Sequence, residues 1–214
     1  MKYNKYIDHT LLRADATQSE IIKLCKEAKQ YDFMSVCINP DYVSLCKTQL
    51  RTSDVKVCTV IGFPLGSNTT NTKVFETKDA IKNGANEIDM VVNISWLKEK
   101  KLTNVINEIK VIKKACGKHT LKVIVETSLL SQQDKINACK CVLSAKADFI
   151  KTSTGFSTGG ATIADITLFK KQVGNKVLIK ASGGVKTFDD MVAMINAGAN
   201  RIGTSRGVSL MQGK

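Results

Sequence analysis

Three stretches of this chain echo one another: Asn83-Gly84-Ala85-Asn86-Glu87-Ile88-Asp89, Ala145-Lys146-Ala147-Asp148-Phe149-Ile150-Lys151 and Ala197-Gly198-Ala199-Asn200-Arg201-Ile202-Gly203. Each reads as a helix end, a turn of small residues and an apolar strand. Gly84 and Gly198 sit where a helix C-terminus favours glycine. Between the echoes, apolar residues keep helical spacing. Leu102, Val105, Ile106, Ile109, Ile112 and Cys116 recur every three or four positions. So do Ile21, Leu24, Cys25 and Ala28, and Phe188, Met191, Val192 and Ile195. Thr187 followed by Asp190 has the form of a capping box.

Short, mostly uninterrupted apolar runs mark strands buried on both faces. They fall near residues 6–9, 35–38, 56–61, 87–92, 121–126, 148–152, 177–181 and 201–204, with a helix after each. Eight alternating units predict an α/β fold, a single-domain (β/α)8 TIM barrel over residues 1–214. An open doubly wound sheet is the competing arrangement.

The 214 residues suit one domain, and 43% hydrophobic with 24% charged residues is ordinary for a globular protein. With 2 Pro and 14 Gly, the low-complexity classes are excluded. No apolar run approaches the ~18–20 residues of a membrane helix, and the N-terminal stretch lacks the apolar segment of a signal peptide. The 7 cysteines are scattered without a C-x-x-C, as expected of reduced, mostly buried thiols in a cytoplasmic protein. The 32 basic against 19 acidic residues give a net +13, which invites a nucleic-acid reading and salt-sensitive binding. The lysines are spread along the whole chain, however, and aromatics make up only 6%. The expectation is a solvated lysine surface and an anionic small substrate, with neither nucleic acid nor membrane as partner.

Charge inside the apolar strands is the informative anomaly. Asp89, Lys151 and Lys180 each interrupt or close such a run, and Glu126 ends another. Buried charges must be paired, hydrogen-bonded or neutralised. Asp89, Lys151 and Gly203 hold equivalent places in the echoes, on strands 4, 6 and 8, and alternate strands of a barrel feed one interior layer. Asp89 and Lys151 are therefore expected to point at a common centre near the C-terminal face, where barrel active sites lie. A lysine amine attacks a carbonyl only when neutral, and a neighbouring cation with burial favours that form. Two lysines and an acid thus point to Schiff-base chemistry with a proton shuttle. A buried salt bridge is the structural alternative.

Glycine-rich turns follow strands 7 and 8: Ser182-Gly183-Gly184-Val185 and Gly203-Thr204-Ser205-Arg206-Gly207. That is the usual phosphate site of the fold. A third loop, opening Thr154-Gly155-Phe156 after strand 6, is placed to cover it. His9 and His119 have no metal-ligand spacing, so no metal is expected. Cys37 reads as core or pocket wall rather than as a nucleophile.

Tyr6-Ile7-Asp8-His9-Thr10-Leu11-Leu12, Glu87-Ile88-Asp89-Met90-Val91, Phe149-Ile150-Lys151-Thr152-Ser153-Thr154-Gly155-Phe156, Lys180-Ala181-Ser182-Gly183-Gly184-Val185-Lys186 and Arg201-Ile202-Gly203-Thr204-Ser205 together resemble the deoxyribose-phosphate aldolase family. The resemblance spans nearly the whole chain. It implies a class I aldolase on a TIM barrel, working without a cofactor, that cleaves 2-deoxy-D-ribose 5-phosphate reversibly to D-glyceraldehyde 3-phosphate and acetaldehyde. It implies that Lys151 forms the Schiff base, that Lys180 is the neighbouring cation and that Asp89 exchanges protons through an ordered water. By the same resemblance Gly183, Gly184, Gly203 and Ser205 hold the phosphate, while Asp8, Thr10 and Cys37 line the sugar pocket. A homodimer or homotetramer is the family's usual assembly.

Three departures stand out. Phe156 replaces a lysine of some members, Arg206 takes the place of a second serine, and the chain ends at Lys214 without the tyrosine-bearing tail of some members. The competing readings are another phosphosugar barrel enzyme, such as an epimerase or a transaldolase-like enzyme, and a basic nucleic-acid-binding protein. An epimerase needs no Schiff-base lysine.

Overall fold

The computed structural model describes residues 2–213. Its strands are β1 (Ile7–Leu11), β2 (Ser35–Ile38), β3 (Lys56–Ile61), β4 (Glu87–Val91), β5 (Thr120–Ile124), β6 (Phe149–Lys151), β7 (Leu178–Ser182) and β8 (Arg201–Thr204). All neighbours run parallel in sequence order, and β8 returns to β1 through Ile7↔Ile202, Asp8↔Gly203 and His9↔Thr204. The sheet is therefore a closed barrel, and the open doubly wound alternative is set aside. The helices are α1 (Gln18–Gln30), α2 (Val43–Gln49), α3 (Thr70–Asn83), α4 (Ile94–Lys98), α5 (Leu102–Cys116), α6 (Gln132–Ala145), α7 (Ile163–Val173), α8 (Phe188–Ala197) and α9 (Gly207–Gln212).

Local chemistry sets the helix ends. The expected capping box of α8 is present, with Thr187 accepting from Asp190 N and Asp190 returning to Thr187 N. Thr17 with Glu20, and Ser131 with Asp134, do the same for α1 and α6. The strand expected over 121–126 instead spans Thr120–Ile124, because Glu126 turns into the left-handed region at φ 57° and the chain leaves the sheet.

Side chains of a strand alternate between two faces, and here the faces carry different chemistry. Ile88, Met90, Leu121, Val123, Ile150, Ile179, Ala181 and Ile202 join the main core between barrel and helices. The barrel interior holds a small apolar cluster, Leu12, Cys37, Cys58 and Val60, beside Phe63. On the alternate positions of β4 to β8 stand the buried ionisable residues Glu87, Asp89, Lys122, Lys151, Lys180 and Arg201.

Candidate active site

The expected meeting of strands 4 and 6 is present. Lys151 Nζ lies 2.8 Å from Asp89 Oδ2, and Lys180 Nζ lies 2.7 Å from the same oxygen. The third echoed position, Gly203, contributes space rather than a side chain. A Cβ there would lie 3.1 Å from Lys180 Cε, so the glycine makes room for that lysine.

Lys122 on β5 completes the cluster, 2.8 Å from Asp89 and 2.6 Å from Glu87. Lys122 is absent from the residues expected at the site, although Leu121-Lys122-Val123 carries the same signal as Asp89, a charge between strand apolars. Below it, Arg201 reaches Asp8 Oδ1 through Nε at 2.7 Å and Glu87 through Nη2 at 2.9 Å. Lys122 and Arg201 each lie 5.9 Å from the Phe149 ring centroid, a cation–π arrangement that lines the floor. Glu87, Phe149 and Arg201 occupy one equivalent position of the three echoes, two residues before Asp89, Lys151 and Gly203.

Asp8 departs from the sugar-pocket expectation. It is fully buried, 2.6 Å from Lys180 Nζ and paired to Arg201, and does not line the cavity. Two residues further along the same face of β1, Thr10 does line it. Cys37 likewise lies beneath the cavity wall, fully buried. Its hydrogen bond with Cys58 brings its thiol down to about 7 despite burial. Among the described residues, Cys37, Cys58 and Asp89 form a group of possible metal donors, with ligand atoms within 4.8 Å of one another. Lys122 Nζ, 3.3 Å from Cys58 Sγ, and the other amines on Asp89 oppose a further cation there.

These contacts decide the electrostatics. Burial alone pushes the Asp89 carboxyl up, but Lys122, Lys151 and Lys180 outweigh it and hold it well below the usual range. Burial alone would lower Lys180, but Asp8 and Asp89 hold it well above the ordinary lysine range, a fixed cation. The network contains four cations, Lys122, Lys151, Lys180 and Arg201, against three carboxylates, Asp8, Glu87 and Asp89. Lys122, Lys180 and Arg201 each touch two of those carboxylates, whereas Lys151 touches one. Lys151 also lines the cavity. Discharging Lys151 balances the network at zero.

A cavity of about 580 Å³ opens above this layer at the C-terminal end of the barrel. Gly183, Gly184, Gly203, Ser205, Thr154 and Phe156 line it, with Lys186 and Arg206 adding positive charge. Gly183 and Gly184 have φ of 74° and 81°, a turn that glycine adopts without strain. The start of α8 is already engaged, since Asp190 Oδ2 accepts from the amides of Lys186 and Thr187 at 2.9 Å each. Phe156 brings no charge; its ring meets Phe63 edge-on at 5.3 Å. Gly160 packs on the same turn so closely that a Cβ would come within 2.5 Å of Gly183 C. Gly160→Ala is therefore expected to cost about 1–3 kcal/mol as backbone is forced apart. The check is a lower urea midpoint at unchanged m.

Residues 3–213 match the model of the DeoC/LacD family aldolases. A deoxyribose-phosphate aldolase of Malacoplasma penetrans is 61% identical, over 99% of this chain and 96% of that protein. One of Brevibacillus brevis is 58% identical, over 100% and 96%. The tetrameric deoxyribose-phosphate aldolase of Aeropyrum pernix superposes with a TM-score of 0.89 at 31% identity, over 98% of this chain and 89% of that one.

Proposed function

This chain belongs to the DeoC/LacD aldolase family, and on that premise we propose that Lys151 carries the covalent intermediate, Lys180 its neighbouring cation and Asp89 its proton exchange. The reaction is the reversible cleavage of 2-deoxy-D-ribose 5-phosphate to D-glyceraldehyde 3-phosphate and acetaldehyde, a class I aldolase reaction. The observation that carries the residue assignment is the asymmetry of the ionic layer. Lys151 is its one amine that both lines the cavity and touches a single carboxylate of the network.

The chemistry follows from that asymmetry. The neutral Lys151 amine attacks C1 of the open-chain sugar, and water leaves as the iminium forms. The iminium withdraws the electron pair as the C2–C3 bond breaks. Asp89, held ionised by the lysines around it, accepts the proton released from the C3 hydroxyl. D-Glyceraldehyde 3-phosphate departs, the enamine is protonated at C2, and hydrolysis frees acetaldehyde and the amine. The imine itself is the electron sink, so the sequence of steps calls on no metal. Gly183, Gly184, Gly203 and Ser205 face the cavity above Lys151 and hold the phosphate through backbone and hydroxyl groups, with Arg206 supplying the charge that Phe156 does not. Thr10 contacts the sugar, while Asp8 and Cys37 act from beneath.

The barrel is read as one aldolase domain, forming a homodimer or homotetramer; the relative in Aeropyrum pernix supports the larger assembly. A cytoplasmic location, without nucleic-acid or membrane partners, fits seven unpaired buried thiols. Among the described residues no helix is long and apolar enough to cross a membrane.

Borohydride reduction in the presence of acetaldehyde tests the assignment. The peptide containing Lys151 is expected to gain the mass of the reduced imine. An adduct on Lys180 or Lys122 instead would overturn it.

A further inference from the structure

Glu126 is a buried charge that the reaction leaves unused. It is 2% exposed, and its backbone sits at φ 57°, a region that residues with long side chains seldom adopt. Its Oε2 accepts from the Thr154 amide at 3.1 Å and, in a shorter bond, from the Thr154 hydroxyl. Thr154 Oγ1 in turn accepts from the Phe156 amide at 3.0 Å. One step further, the Ser128 and Ser157 hydroxyls meet at 3.3 Å. At its far end the same loop is tied to the glycine turn after β7. The Ala161 amide donates to the carbonyls of Ser182 and Gly183 at 3.0 and 3.1 Å, beside the close packing of Gly160 on Gly183.

Residues 154–161 are thus fastened to Glu126 on one side and to the glycine turn on the other. Thr154 and Phe156 form cavity wall between these ties. A strained backbone and a buried carboxylate each cost free energy, and such features persist where the surroundings over-determine them, commonly at functional sites. We propose that Glu126 is a positioning residue: by fastening Thr154 it fixes the loop 154–161 and the glycine turn packed against it, and so sets the affinity for the phosphorylated sugar. This rests on the aldolase reading above.

The test measures KM and kcat for 2-deoxy-D-ribose 5-phosphate in Glu126→Gln, Thr154→Val and the double variant, with trapping of acetaldehyde on Lys151 in parallel. Gln keeps the length of Glu but gives up the charge that makes these hydrogen bonds strong. KM is expected to rise about tenfold or more, the scale of losing a hydrogen bond to a charged group, with a much smaller change in kcat. Acetaldehyde has no phosphate to be held and is expected to trap on Lys151 as in the parent enzyme. Thr154→Val, close to threonine in shape, carries the test if Glu126→Gln folds poorly. Thr154→Ser, which keeps the hydroxyl, is expected to restore most of the KM. The double variant is expected to be little worse than either single one, because both cut the same tie. Unchanged KM in both single variants would overturn the proposal. So would losses shared equally by KM, kcat and acetaldehyde trapping. A parent enzyme that traps no acetaldehyde and cleaves no sugar phosphate would overturn the aldolase reading instead.

Discussion

Asp89→Asn is expected to lower kcat by about 10²–10⁴, the usual scale for losing a general acid–base group. It should also destabilise the fold. The substitution is nearly isosteric, and by sequence alone the geometry is expected to survive it. In the structure Asp89 is the anion shared by Lys122, Lys151 and Lys180, at 2.7–2.8 Å each. Neutralising it leaves four cations facing two carboxylates. Removing one partner of a buried ion pair typically costs about 3–5 kcal/mol.

The sign of the pH dependence follows from the depressed Asp89 carboxyl. Its contribution is fully present above the ordinary value of 3.8 and is lost as pH falls toward the lower folded value. The stability gap between parent and variant is therefore widest near neutrality and narrows in acid. Urea titrations at pH 7 and well below pH 4 measure it. A variant with near-normal activity would show that another group carries the proton.

Lys180→Met removes the cation held between Asp8 and Asp89. Three cations then face three carboxylates, and the network balances with Lys151 protonated. The cation beside the Lys151 amine, on the same Asp89 oxygen, is then gone. Activity near pH 7 is expected to fall by about tenfold or more, the effect of one pKa unit, and to recover in part as pH rises. Met suits the test because its long, flexible side chain fills space much as lysine does. Leu desolvates the site too, which works against the shift. A pH–rate profile that scales down uniformly, with no basic displacement of its rising limb, would mean that Lys180 acts by position or proton transfer.

Much of the fold is legible in the sequence because a parallel barrel writes its period into the chain. Each βα unit needs an apolar strand, a small-residue turn and a helix of 3.6-residue period, so the three echoes and the spacing between them announce the architecture. The same echoes align Asp89 with Lys151, and alternate strands share a layer. The strand ends are less legible. Glu126 leaves the sheet through a left-handed residue, which the apolar run before it does not announce.

The candidate site divides along the same line. Charge within an apolar strand marks Asp89, Lys151 and Lys180 from sequence, and would mark Lys122 by the same rule. Which carboxylate serves which amine depends on residues separated by up to 193 positions, as between Asp8 and Arg201. Asp8 and Thr10 are two residues apart on one strand, yet one is sealed within the ionic network and the other lines the cavity. A period of two assigns both to the same face and leaves their depth open.

The eight βα units, the glycine turns after β7 and β8, and Asp89, Lys151 and Lys180 inside apolar strands are legible in the chain, because strand period and local turn chemistry act over a few residues. Only the tertiary structure decided that Lys151 is the amine with one carboxylate while Lys180 and Lys122 have two. Closing β8 onto β1 brings Asp8 and Arg201 to the floor beneath the aspartate, and Coulomb energy depends on distances through space, not on separation along the chain.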